Sequence, residues 1–234
     1  MTGADILNKA AQHVNEKYVF GARVPKNNPN WHGPWDCAEF ASWCVFQISN
    51  KLYGCDDDNG NPASADAYTG YWKRDAQTLG QTISIQQAAV TAGAAVLRFP
   101  APGANGHIVF SDGAGGTIEA HSTVSGVIRA QLGGRRWDTG ILVPGITYSQ
   151  NAQPVTVPQP QSIVYHLASP SMEGEAVKRI QSALGAKGFD PGIIDDVYGP
   201  HTMAAVTAFQ IDNGLVPDGE VGPKTAAALG VTLS

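Results

Sequence analysis

Little in this sequence points to a disulfide scaffold, a membrane protein or a nucleic-acid binder. Only three cysteines occur in 234 residues, Cys37, Cys44 and Cys55. An odd, small number makes a poor disulfide framework, and none stands in a Cys-x-x-Cys metal knuckle. At least one thiol is therefore free or paired between chains. Charged residues are scarce, at 15% with a net charge of −5, and the longest run of one sign is Asp56-Asp57-Asp58. Without a basic stripe, the sequence offers no footprint for nucleic acid. After residue 150 four basic residues face eight acidic ones, which argues against electrostatic attachment to an anionic surface. No apolar run approaches the roughly 20 residues that span a bilayer. The start, Met1-Thr-Gly-Ala-Asp-Ile-Leu-Asn-Lys-Ala10, lacks the basic-then-apolar pattern of a secretory signal. Either a signal has been removed or the protein leaves its cell another way.

What is present divides into two parts. Ser149 to Gln161 holds three prolines, four glutamines and no charge, the composition of a semi-extended linker. The expected domains are thus residues 1–148 and 164–234, joined by a linker over 149–163. In the first, spacing predicts a helix over 4–17, with Ile6, Leu7, Ala10 and Val14 on one face. A loop rich in Gly, Pro and Asn follows, and a second helix begins at Cys37 and runs to about Leu52. Asp36 and Glu39 read as its capping box. Residues 55–70 read as loop, and 84–92 as a short helix. From Ala94 the pattern turns to five strands separated by Gly/Pro/Asn/Asp clusters, the mark of an antiparallel meander. Helices first and sheet second predict an α+β domain. After the linker, Asp195-Asp-Val-Tyr-Gly-Pro-His-Thr202 repeats 23 residues later as Asp218-Gly-Glu-Val-Gly-Pro-Lys-Thr225. Each Gly-Pro opens a helix, where the missing proline N–H costs nothing. With an earlier helix carrying Val177, Ile180 and Leu184, this predicts a small all-α, three-helix domain.

Cys37 opens its helix, where unpaired N–H groups and the positive dipole end favour a thiolate and can receive an oxyanion. Cys44, one heptad on, reads as a small buried hydrophobe. A cysteine nucleophile needs an imidazole and a group to orient that ring. His107 opens a strand after the turn Pro102-Gly-Ala-Asn-Gly106, and Glu119 and His121 share one strand face, so either could reach its other nitrogen. A histidine at a strand end is often simple surface, so residue types and spacing leave the assignment open. Asp57-Asp58-Asn59-Gly60 has a calcium-loop flavour, but Cys55 holds the first ligand position and Asp66 the last. It reads as a solvated turn.

Five motifs resemble, in order and spacing, the NlpC-type cell-wall cysteine peptidases: Tyr18-Val-Phe-Gly, Asp36-Cys37-Ala-Glu-Phe, Gly93-Ala-Ala-Val-Leu-Arg-Phe, Gly106-His107-Ile-Val-Phe and Gly116-Thr-Ile-Glu119-Ala. The likeness covers roughly residues 5–145 and is greatest to the branch found in phage lysins and injected effectors. It implies a papain-like domain, a helix packed on an antiparallel sheet, that cleaves the peptide stem of peptidoglycan beside the D-glutamyl residue. Cys37 then matches the nucleophile and His107 the base. Tyr18 matches the tyrosine lining the oxyanion site, and Glu119 the third polar residue, with His121 as its rival. Ala38-Glu39 replaces the commoner Ser-Gly, which alters the groove beside the nucleophile. Glu175-Ala-Val-Lys-Arg-Ile-Gln-Ser-Ala-Leu184, both Gly-Pro-x-Thr segments and Ala205-Val-x-x-Phe209-Gln210 resemble the three-helix peptidoglycan-binding domain, in which Val177, Ile180, Phe209 and Leu215 would be core. Its usual Asp-Gly stands here as Asp195-Asp196.

The chemistry implied calls for no cofactor and no metal. The partner is peptidoglycan. An amidase cutting between sugar and stem is the rival reaction, and an inactive wall-binding protein the rival of another class. Such an effector would act in the periplasm after delivery by lysis or a secretion apparatus, with an immunity protein or delivery machinery as its macromolecular partners. The chain is expected to be a monomer that binds neither nucleic acid nor membrane.

Overall fold

The computed structural model describes residues 1–101, 105–149 and 164–233. Residues 150–163 of the expected linker and the Pro102–Ala104 part of the predicted turn lie outside them. The chain separates into two compact units, one holding the first four helices and all strands, the other the last three helices. No helix among the described residues is long and apolar enough to cross a membrane.

In the first unit, α1 spans Gly3–Ala11. Thr2 accepts the Asp5 N–H while the Asp5 carboxylate accepts the Thr2 N–H, a reciprocal cap that starts the helix cleanly. It stops well short of the expected residue 17, because Asn15 adopts a left-handed φ of 77° and 12–15 form a turn. Helix α2, Cys37–Ser49, is buried almost throughout from Ala38 to Val45. Asp36 caps it through the Glu39 N–H at 2.8 Å. The expected capping box is only half made. The Glu39 carboxylate turns inward to the Val24 and Ala67 N–H groups and an ion pair with Lys26. Both members of that pair are buried, and Lys26 Nζ also donates to the Val24 and Ala65 carbonyls. A buried charge is tolerated only when paired and hydrogen-bonded in this way.

Two elements escape the sequence pattern. Helix α3, Thr69–Thr78, has a Tyr68 N-cap that makes no side-chain bond, so no start signal marks it. Strand β1, Gln81–Ile83, has only three residues. Helix α4, Ile85–Ala89, carries a Ser84/Gln87 capping box. The remaining strands are β2 (Ala95–Arg98), β3 (His107–Ser111), β4 (Gly116–Ser122), β5 (Gly126–Gln131) and β6 (Thr139–Leu142). All pair antiparallel in the order β1-β6-β2-β3-β4-β5. The meander therefore holds only for β2 to β5. Strand β6 returns to lie beside β2, with β1 as the edge. Period-two alternation sorts the side chains: Ala95, Leu97, Ile108, Phe110, Ile118 and Ala120 join the core under α2, whereas Val96 and Val109 pack with Ile85, Ala88 and Leu132. Helix α2 lies against β3 and β4.

In the second unit, α5 (Glu175–Ala186), α6 (Pro200–Asp212) and α7 (Pro223–Leu229) enclose Val177, Ile180, Leu184, Tyr198, Val206, Phe209 and Val221. Leu215 packs against this core half-buried. Prolines at the first positions of α6 and α7 follow Gly199 and Gly222 as N-caps. The repeat has a physical cause. A buried glutamine grips each copy: Gln181 donates to Asp195 Oδ1, the Val197 carbonyl and Thr202 Oγ1, and Gln210 donates to Asp218 Oδ1, the Glu220 carbonyl and Thr225 Oγ1. Asp196 stands at φ 66°, where the second copy has Gly219 at 65°. Aspartate tolerates this left-handed position better than most residues, which explains how it replaces the usual glycine.

Candidate active site

The three cysteines are all free, yet only Cys37 keeps solvent-facing surface. Cys44 and Cys55 are fully buried, as expected for Cys44. Cys37 is the first residue of α2, and two backbone N–H groups approach its sulfur, that of Ala38 in the same helical turn and that of Ile108 in β3. The thiol therefore lies against the start of the strand that His107 opens. The β3–β4 register joins Phe110 to Ile118 and Ser111 to Thr117, at the opposite end of β3.

The thiol's acidity departs from the sequence expectation. Burial pushes Cys37 up to about 12, with the Asp36 charge adding to it. The Ile108 N–H, the Arg98 charge and the Ala38 N–H pull the other way and do not offset desolvation. A helix start favours a thiolate, but here loss of water outweighs it. Asp36 is itself pushed up to about 7, by burial first and by the Glu39 charge, against the N–H groups of Glu39, Ala38 and Gly21. Tyr18, bridged to Trp35, is held well above the ordinary phenol range by burial, with Cys37 and Asp36 contributing. Its hydroxyl therefore stays protonated.

On β3 and β4 the polar residues form a second group. His107 Nε2 is 2.6 Å from Glu119 Oε2, and Thr117 Oγ1 donates to Glu119 Oε1 at 2.7 Å. Glu119 is fully buried, so both carboxylate oxygens are committed. His121 stands edge-on to His107 at 6.2 Å between ring centroids, and its Nδ1 meets Ser125 Oγ at 2.6 Å. Of the two rivals, Glu119 makes the hydrogen bond to His107. Trp137 stacks on the His107 ring at 6.1 Å, and Arg98 sits opposite His107 in the β2–β3 register. Sequence reasoning found neither of these, nor Thr117. Thr117 had a signal, since it lies two residues before Glu119 on the same strand face. Trp137 had none. The Asp57–Gly60 turn holds itself together, with Asp57 Oδ1 accepting the Asn59 N–H, and Asp58 pairs with Arg74 at 3.1 Å.

A thiol under two N–H groups, a phenol donor and an imidazole anchored on a buried carboxylate can carry out nucleophilic acyl chemistry. Comparison with known proteins bears first on the other unit. Residues 173–229 match the family model described as a putative peptidoglycan binding domain. The chain is also 38% identical over 93 residues to an uncharacterised protein of Kitasatospora aureofaciens, across 36% of this chain and 76% of that one. Residues 173–229 belong to this peptidoglycan-binding family. The binding domain comprises α5–α7, with the two glutamine-held repeats inside it. Over 87 residues the chain is 41% identical to the N-acetylmuramoyl-L-alanine amidase CwlL of Bacillus licheniformis, spanning about a quarter of that protein's length (24%). Among solved structures it is similar to the NlpC/p60 domain of the peptidoglycan hydrolase SagA, at 20% identity and a TM-score of 0.43, over 61% of this chain and 100% of that one.

Proposed function

We propose that this chain hydrolyses peptidoglycan, with the first unit an NlpC-type, papain-like cysteine endopeptidase acting on the peptide stem, beside the D-glutamyl residue, and the second a tether to the wall. The single observation carrying this is His107, which opens the strand whose next residue, Ile108, presents its N–H to the Cys37 thiol, and whose Nε2 is bound by buried Glu119 at 2.6 Å. In this reading the thiol rests neutral. As Cys37 Sγ attacks the carbonyl carbon, its proton passes to His107. The oxyanion is met by first-turn N–H groups and the Tyr18 hydroxyl. The imidazolium then protonates the leaving amine, the C–N bond breaks, and water activated by His107 releases the acyl group from sulfur. Glu119 fixes the ring and stabilises its charged form. Wall binding by the second unit raises the local concentration of the first.

The test is digestion of purified peptidoglycan followed by mass spectrometry of the soluble products. Fragments cut within the stem are expected, and none from Cys37→Ala, which should still sediment with wall material. Release of intact stems would instead support amidase activity, a second reading favoured by the similarity to CwlL. Undiminished hydrolysis by Cys37→Ala would remove the cysteine mechanism altogether.

A further inference from the structure

A second polar cluster lies outside this machinery, in the turn after α1 and the loop before α2. Glu16 Oε2 is 3.0 Å from His13 Nδ1, and Glu16 Oε1 is 2.8 Å from His32 Nδ1. One ligand atom from each of the three residues can be chosen so that all lie within 4.8 Å of one another. His13 is buried, its ring edge-on to those of Trp35 and Trp43 at 5.2 and 4.9 Å. The indole N–H of Trp35 donates to Glu16 Oε2. His32 has a largely exposed side chain, at 72%.

We propose that His13, Glu16 and His32 form a zinc site that fastens the loop leading to Cys37 onto the end of α1. Two imidazoles and one carboxylate are a donor set that suits zinc, with a water completing the four ligands as in open zinc sites. A tetrahedral ion at about 2.0–2.1 Å from each donor sets the donor atoms roughly 3.3 Å apart. His32 Nδ1 stands 2.8 Å from Glu16 Oε1, just under that value, and the three ligand atoms lie within 4.8 Å of one another, so side-chain rotations suffice. Each neutral ring moves its proton from Nδ1 to Nε2 to free the ligating lone pair, and no proton need leave the protein. Glu16 binds through Oε1 while Oε2 keeps the Trp35 N–H, the outer-shell contact that orients a ligating carboxylate. The exposed side of His32 is the entry path. Because Trp35 N donates to the Lys17 carbonyl and Val19 N to the Trp35 carbonyl, an ion here ties together the segments that carry Tyr18 and Cys37. The site does not depend on the hydrolase reading.

The test uses the full chain carrying Cys37→Ser, which removes the one partly exposed thiol as a competing ligand. Zinc is titrated against a chromophoric chelator, and the melting temperature is followed with and without one equivalent of zinc. One ion per chain is expected, with a raised melting temperature. Adding His32→Ala, a surface change that leaves the core intact, should weaken binding at least tenfold and abolish the thermal shift. Cobalt(II) in place of zinc should give a tetrahedral d–d spectrum without thiolate charge-transfer bands. No uptake of zinc, equal affinity after His32→Ala, or thiolate bands with cobalt would each overturn the site.

Discussion

Replacing Glu119 by Gln isolates the charge behind His107. The substitution keeps the volume of a fully buried side chain, and its carbonyl oxygen can still accept from His107 Nε2. Its amide can donate to Thr117 Oγ1, whose hydroxyl has only to rotate. What disappears is the negative charge. A hydrogen bond to a charged group contributes about 1.5–3 kcal/mol and a neutral one about 0.5–1.5, leaving a difference of roughly 1–2 kcal/mol. At about 1.4 kcal/mol per tenfold, that is a 5–30-fold loss in kcat/KM from bonding alone. Because the imidazolium exists only once the thiol proton has transferred, the same loss should appear in kcat. Glu119→Ala goes further, since it strands the His107 N–H and the Thr117 hydroxyl in the interior at about 1–3 kcal/mol each. That variant should melt lower, and Gln should not. His121→Ala, which leaves the 2.6 Å His107–Glu119 bond in place, should lose less than tenfold. The assay is release of soluble stem fragments from purified peptidoglycan, with melting curves in parallel. If Glu119→Gln keeps half the wild-type kcat, or if His121→Ala is the more damaging change, the account of how His107 is held is wrong.

Three further variants test other side chains. Asp36 ordinarily ionises near 3.8 but is pushed up to about 7 in the fold by burial, so the folded chain binds the extra proton and loses stability as pH climbs from about 4 to 7. Asp36→Asn keeps the N-cap and should flatten the melting temperature across that window; an unchanged slope would refute the assignment. It should also speed alkylation of Cys37 by iodoacetamide above pH 7, because the Asp36 charge helps push that thiol up to about 12, whereas a wild-type alkylation plateau below pH 7 would reveal a resting thiolate instead. Lys26→Met leaves Glu39 buried without its partner and should destabilise the fold by about 3–5 kcal/mol, measured by urea unfolding, with a loss under 1 kcal/mol counting against the pair. Gln210→Ala removes the amide that donates to Asp218, the Glu220 carbonyl and Thr225 and that accepts the Gly219 N–H, and should lose about 3 kcal/mol and wall binding; retention of wall affinity would show that the repeat is held some other way.

What the sequence by itself determined is local. Asp36 before an apolar helix marked the start of α2 and put Cys37 in its first turn. Gly-Pro at 199–200 and 222–223 marked the starts of α6 and α7, because proline's missing N–H is free of consequence only there. Alternation over 107–111 and 116–122 gave β3 and β4 and set Glu119 and His121 on one face. The tertiary structure decided everything that depends on distant groups meeting. Glu39 has the spacing of a capping box, yet a buried Lys26 and two loop N–H groups draw its carboxylate inward. Desolvation, a property of the whole surrounding fold, reversed the expected acidity of Cys37. Between Glu119 and His121 only the packed sheet, with Thr117 holding one carboxylate oxygen, makes a choice. Residues 13, 16 and 32 carry no metal-ligand spacing, and only folding the loop back over α1 brings their donor atoms together.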